Sequence, residues 1–269
     1  MQTISSVSLI GSGSLANVFA NVLHDFLPEF KLHSVLGRTQ GKAQAFASKY
    51  NCRAVFNIED FLKDAAPVVV ELAGGLALKE YALPILKSGR TLICLSTGAF
   101  ADDDFKQEAI RIAAENNGRI CIVNGAIGGL DFLQTCAMQH GAAEVVIETT
   151  KSPKSLLGAP GLDGKNLDLT KKTVVFDGGV QEAIKAFPKN INVGVITALA
   201  SENPQTKVRI VADPAARSNT HKITYRSALA DATMEFSGKP DPANPKSSTT
   251  AALSAAACLK NLYSPITFW

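Results

Sequence analysis

The chain has 269 residues, 46 % of them hydrophobic and 19 % charged, with a formal net charge of +3. Such a balance excludes a disordered chain and supplies enough core for two domains. Lys and Arg are interspersed with Asp and Glu, so no nucleic-acid footprint is present.

Val7-Ser8-Leu9-Ile10 reads as a short apolar strand feeding Gly11-Ser12-Gly13-Ser14-Leu15-Ala16, and helical spacing runs from Leu15 to Phe30. A strand, a glycine turn and a helix in that order suit a dinucleotide. Gly11 permits the tight turn, Gly13 lacks a Cβ that would block a pyrophosphate, and Ala16 lets the helix press on the strand. Ser14 and Leu15 open the helix, whose unpaired N–H groups and dipole face the phosphates. The plain alternative is a glycine-rich turn that binds nothing.

Lys31 to Leu36 is the expected second strand, ending at Gly37-Arg38-Thr39. An acid at this position would bind the 2′-hydroxyl of NAD, whereas an arginine suits a 2′-phosphate. Arg38 and Thr39 therefore point to acceptance of NADP, with an ordinary solvated arginine as the alternative. A helix is expected over Gly41–Tyr50, a short strand at Ala54-Val55, and a helical turn over Ile58–Lys63. Val68 to Leu72 is a buried strand entering Ala73-Gly74-Gly75, small residues beside which a cofactor can lie close. A helix over Lys79–Ser88, a strand over Thr91–Leu95, a helix over Asp102–Asn117 and a strand over Arg119–Val123 follow. The alternation predicts a Rossmann-type doubly wound parallel sheet over residues 1–124.

The pattern changes at Asn124. Gly125-Ala126-Ile127-Gly128-Gly129-Leu130-Asp131 leads into a helix expected from Phe132 to His140. Strands then dominate: Glu144–Thr150, Thr173–Phe176, Lys207–Ala212, Thr220–Ser227 and Thr233–Phe236, with helices over Val180–Phe187 and Asn192–Ala200. Residues 125–243 should thus form an α+β substrate and dimerisation domain with a mainly antiparallel sheet. Leu156 to Gly164 is either a lid or an ordinary loop. Asn244-Pro245-Lys246 signals the start of a helix over Ser247–Leu262. This Ala-rich segment, within residues 244–269, is expected to pack back on the first domain.

The five cysteines, Cys52, Cys94, Cys121, Cys136 and Cys258, show neither a C-x-x-C nor a metal spacing. They read as small buried residues in a reducing compartment, with no metal site. No basic leader with an apolar stretch precedes the first strand, and no apolar run is long enough to span a bilayer. A cytoplasmic protein with no membrane partner is the expectation.

The Gly125–Asp131 string resembles L-aspartate dehydrogenases. So do Thr150-Lys151-Ser152-Pro153, Phe187-Pro188-Lys189-Asn190-Ile191-Asn192-Val193, Ala212-Asp213-Pro214, Asn219-Thr220-His221-Lys222-Ile223 and Asn244-Pro245-Lys246-Ser247-Ser248. These segments keep the family's order over nearly the whole chain. Lys151-Ser152-Pro153 departs from the family's Lys-Pro-Pro, and Ser248 stands where the family carries Ser or Thr. The resemblance implies oxidation of L-aspartate by NAD or NADP to iminosuccinate, which hydrolyses to oxaloacetate and ammonia or feeds quinolinate and NAD synthesis. It implies His221 as the catalytic histidine, and Ala126 with Asn192 or Asn190 as cofactor contacts.

The chemistry suits a histidine, because the substrate ammonium must lose a proton near neutrality. Strand alternation puts His221, Ile223 and Tyr225 on one face, where an imidazole is also often a hydrogen-bonded core residue. Lys151 and Lys246 are candidates for the two substrate carboxylates, or else surface lysines. Asn190 and Asn192 could instead cap the helix they open, and Gly128 and Gly129 either offer N–H groups to a ligand or merely turn the chain. Two alternatives stand beside the dehydrogenase: an imine or carbonyl reductase resembling dihydrodipicolinate reductase, and a non-catalytic nucleotide-binding regulator. A homodimer built through the second domain's sheet completes the expectations.

Overall fold

In the computed structural model, the described residues are 6–139, 143–164, 170–188, 191–239 and 249–268. The chain divides into two compact units, Met1–Gly125 with Asp241–Trp269, and Ala126–Pro240.

The first unit alternates strand and helix: β1 (Ser6–Ile10), α1 (Ser14–Phe26), β2 (Lys31–Leu36), α2 (Gln40–Tyr50), β3 (Arg53–Val55), α3 (Ile58–Leu62), β4 (Val68–Glu71), α4 (Gly75–Lys87), β5 (Thr91–Cys94), α5 (Asp103–Glu115) and β6 (Arg119–Ile122). The six strands pair in parallel in the order β3-β2-β1-β4-β5-β6. This is the doubly wound Rossmann order, which reverses between β1 and β4 and opens a crevice at the strands' carboxyl ends. Val68, Val69 and Val70 are almost wholly buried, as expected of a strand covered on both faces.

Helix α1 stops at Phe26, short of the expected Phe30. Leu27 precedes Pro28, and the proline ring excludes the helical conformation from the residue before it. Helix α4 begins a turn earlier than expected, at Gly75, because Gly74 turns the chain with φ +109° and accepts the Leu78 N–H. Asp102 caps α5 by accepting the Phe105 N–H, and a 3-10 turn over Thr97–Ala101 precedes it. A last helix of this unit, here α10 (Thr249–Tyr263), follows the whole second unit in the chain. Its Ala252, Ala255, Ala256 and Leu259 share one core with Phe19 and Leu23 of α1. The Asn244-Pro245 start signal lies outside the described residues.

The second unit holds α6 (Leu130–Ala137), β7 (Ala143–Lys151), α7 (Pro153–Leu156), β8 (Thr173–Gly179), α8 (Val180–Ala186), α9 (Asn192–Ala200), β9 (Lys207–Ala212), β10 (Thr220–Ser227) and β11 (Asp231–Ser237). Its sheet runs β11-β10-β7-β9-β8, antiparallel except for the β7–β9 pair. The helix expected to reach His140 ends at Ala137, and His140 lies outside the described residues. Within Leu156–Gly164, Leu156 and Leu162 are buried and Gly161 abuts Ala186 and Phe187, while Leu157 is exposed.

No helix among the described residues is long and apolar enough to cross a membrane. All five cysteines are free. Burial, expected of all five, holds for Cys94 and Cys136 only. Cys121 lies on the edge strand β6 and its thiol meets that of Cys258 on α10, leaving both half-buried.

Candidate active site

Gly11, at the end of β1, has φ +99°, and a Cβ there would lie 2.9 Å from the Ala73 Cβ. Only glycine fits that turn. Gly13 is the N-cap of α1 and provides no side-chain cap, and no atom lies within 4 Å of where its Cβ would stand. The helix start, with Ser14 and Leu15 as its first residues, is thus a helix N-terminus after a glycine turn, of the kind that binds phosphate. Beneath it Ala16 is fully buried. Arg38 and Thr39 are exposed just beyond β2, and Ala73 and Gly74 follow β4. Glycine and alanine at the ends of the two strands flanking the crevice leave the room a dinucleotide needs, and these residues fit that group.

Glu71, the last residue of β4, is a lone acid in an apolar run. It is fully buried. Its Oε1 accepts the Ala73 and Gly74 N–H groups, each at 2.7 Å, and the Ser96 hydroxyl at 2.9 Å. Its Oε2 accepts the Ser96 N–H at 3.0 Å. Burial pushes this carboxyl's pKa up, while the four donors oppose the shift. The only signal in the sequence was the oddity of a lone acid behind three valines.

In the second unit, β10 pairs antiparallel with β7, setting His221 opposite Thr149. His221 and Thr149 point to the buried face, and the Thr149 Oγ1 lies 3.0 Å from His221 Nδ1. Lys151, two residues along β7, falls on the same face by alternation and is 9 % exposed. Burial, and next the Lys151 charge, lower the His221 pKa to about 4. Burial lowers the Lys151 pKa to about 8. The imidazole is thus neutral at physiological pH, and the ammonium is close to its titration point. The resulting group pairs a hydrogen-bond-anchored base with a poorly solvated cation.

The same face explains the second glycine string. Gly129 has φ +73° and is the N-cap of α6, and a Cβ there would collide with the Met234 sulfur. A Cβ on Gly128 would meet the Phe236 ring at 3.0 Å. Phe236 pairs with His221 across β10 and β11, so these glycines lie over strand residues adjoining the imidazole. Phe132 of α6 packs edge-on against Tyr225 at 5.7 Å. Lys151, unlike the surface lysine also considered for it, is buried.

Asn192 is exposed and is the first residue of α9, whose N-cap is Ile191, so Asn192 is not the helix cap. Ala126 is half-buried at the start of the second unit. Asn190 and Lys246 lie outside the described residues. Among the described residues no group of His, Cys, Asp and Glu could hold a metal ion. A groove of about 460 Å³ lies on the opposite face of the sheet, lined by Glu148, Lys222 and Glu235 among others, and does not include His221.

Residues 11–124 match the family model described as homoserine dehydrogenase, NAD binding domain, and residues 131–262 match that described as aspartate dehydrogenase, C-terminal. L-aspartate dehydrogenase of Methanosarcina barkeri is 30 % identical over 266 residues, covering 97 % of each chain. That of Thermotoga sp. strain RQ2 is 42 % identical over 200 residues, 74 % of this chain and 78 % of the relative. The crystal structure of aspartate dehydrogenase from Thermotoga maritima superposes with a TM-score of 0.77 at 32 % identity, covering 99 % of this chain and all of that one. A dinucleotide-type sheet joined to an α+β unit that buries a His–Thr–Lys group is matched in sequence from end to end, and the chain belongs to the L-aspartate dehydrogenase family.

Proposed function

We propose that this protein oxidises L-aspartate, with NAD or NADP as hydride acceptor, to iminosuccinate, which hydrolyses to oxaloacetate and ammonia. The observation that carries this reading is the buried Thr149–His221–Lys151 group on a chain of this family. Gly11, Gly13, Ser14, Leu15, Ala73 and Gly74 would hold the cofactor's phosphates and the sugars beside them, and Arg38 with Thr39 would meet a 2′-phosphate. Ala126 and Asn192 are proposed as further cofactor contacts, as is Asn190. Bound there, the nicotinamide supplies the hydride chemistry; the rest falls to side chains.

His221 is proposed as the base that takes a proton from the substrate ammonium. For that, Nδ1–H must donate to Thr149 Oγ1, leaving the lone pair on Nε2. A neutral imidazole is the form required, and burial beside Lys151 favours it. Lys151 is proposed to meet a substrate carboxylate, and Lys246 to meet the other. A carboxylate against Lys151 would offset that lysine's charge and raise the His221 pKa, so that the ring gains basicity as substrate binds. Once the imidazolium has released that proton to solvent, the neutral ring can take a proton from the water that adds to the iminium carbon and pass it to the amine nitrogen, which then leaves as ammonia.

The deciding experiment follows nicotinamide absorbance with L-aspartate and each cofactor, beside homoserine, glutamate and dihydrodipicolinate. Reduction of cofactor with L-aspartate far above the other amino acids is expected. Turnover of dihydrodipicolinate but not aspartate would reverse the reading.

The proposal extends to assembly as a homodimer through the second unit's sheet. Supporting it, the face opposite His221 is a ladder of partly exposed polar groups, with Arg209 bridging Asp177 at 2.8 Å and Glu148 at 3.6 Å. A single monomer mass in light scattering at all concentrations would overturn this.

A further inference from the structure

We infer that Glu71 is a positioning residue for the nicotinamide half of the cofactor. Its carboxylate locks the two backbone turns, Ala73-Gly74 and Ser96, that border the crevice beyond β4 and β5. The inference rests on the reading of that crevice as the dinucleotide site.

A carboxylate with no exposed surface, behind three buried valines, is an unfavourable choice unless its hydrogen bonds are complete. Here they are. Three backbone N–H groups and one hydroxyl converge on the two oxygens at 2.7–3.0 Å. All four partners are placed to donate to the two carboxylate oxygens, which fills their acceptor capacity. No ion pair to Glu71 is present among the described residues, so three backbone N–H groups and the Ser96 hydroxyl solvate the carboxylate.

The geometry explains what such a device does. β4 and β5 are neighbours in the sheet, and Glu71 pairs with Cys94 at their shared end. From there the side chain reaches the turn after its own strand and the turn after the next one. Both turns are thereby held at fixed positions relative to the sheet. One of them, at Ala73, sits so near the β1 turn that a Cβ on Gly11 would come within 2.9 Å of the Ala73 Cβ. Glu71 thus sets the spacing between the glycine turn and the β4 turn, where a dinucleotide must cross. Since the ribose next to adenine is recognised at the end of β2, the half that crosses toward β4 and β5 carries the nicotinamide.

The role predicts a split that general damage to the fold would not produce. ADP probes the adenosine half, while NADH and NADPH probe both. In Glu71→Gln the amide keeps one acceptor but sets an N–H₂ against the Ser96 N–H. The Kd for the reduced cofactor, read from nicotinamide fluorescence on the full-length protein, should rise by about ten-fold. The Kd for ADP should stay within about two-fold of the parent. Ser96→Ala removes one donor and should give a smaller change in the same direction, about three-fold, which decides the matter if Glu71→Gln does not fold. Unchanged cofactor binding in the variants overturns the inference, and so does an equal loss of ADP and reduced cofactor. If the parent protein binds none of the three probes, the crevice reading itself fails, a result distinct from either of these.

Discussion

Replacing Lys151 by Met should make the unliganded protein more stable while impairing its use of aspartate. Lys151 is 9 % exposed, and its pKa falls from 10.5 to about 8 through burial. At about 1.4 kcal/mol per pH unit, that gap puts a ceiling of about 3 kcal/mol on the penalty of folding with this ammonium buried. Methionine keeps the unbranched stem and drops the charge, but the ammonium's own hydrogen bonding, about 1 kcal/mol per bond, is lost as well. A net gain of about 1–2 kcal/mol remains, or roughly 2–8 °C in Tm for a protein of this size. The sign depends on pH in a way that isolates the cause. Below pH 8 the amine is protonated in folded and unfolded chains alike, and the parent protein carries the full penalty. Between about pH 8 and 10.5 the unfolded chain binds more protons, so the parent gains stability as pH rises. Urea unfolding of parent and variant at pH 7 and again near pH 10 should therefore show the variant's advantage shrinking. A variant less stable than the parent at both pH values, or an advantage that does not change with pH, would refute the reasoning.

Three further outcomes follow from the same geometry. His221→Ala should lower kcat/KM for aspartate by about 10²–10⁴-fold while ADP binding stays unchanged, and a well-folded variant with near-full turnover would remove His221 from the chemistry. Arg38→Ala should raise KM for NADP by about ten-fold or more and leave NAD unaffected; equal effects on both cofactors would return Arg38 to the solvated surface. Gly129→Ala places a Cβ against Met234 at φ +73° and should destabilise the protein by about 1–3 kcal/mol, measured by chemical denaturation. No loss of stability there would mean that α6 and β11 separate easily.

The strands of the first unit were legible because buried parallel strands announce themselves as short apolar runs between turn residues. β2 and β9 match the expected bounds residue for residue, as does helix α9. The inward orientation of His221 was equally readable, since alternation on a half-buried strand has a period of two. What alternation cannot convey is which strand lies alongside. The meeting of Thr149 and His221 depends on β7 pairing with β10 across 72 residues, and the burial of Lys151 follows from the same sheet. For Gly128 and Gly129 the sequence offered N–H donation to a ligand or a simple turn, and the packing of Phe236 and Met234 of β11 against them was not legible. Glu71 was obscure for a related reason. Its partners belong to two separate turns, and only the stacking of β4 beside β5 gathers their donors around one carboxylate. Asn192, a good capping residue by type, lies one position too late, because the chain enters α9 through Ile191.

Helix α10 has a consequence for how the protein is made. The nucleotide-binding unit leaves the ribosome first, yet Ala252, Ala255, Ala256 and Leu259, which complete its core against α1, are translated only after the entire second unit. During synthesis the earliest segment must therefore wait, with part of the apolar surface of α1 uncovered, while a later segment can already close its own sheet. Ribosome-bound chains halted before residue 249 should hold that first unit in a loosened, protease-sensitive state, and releasing the last helix should tighten it.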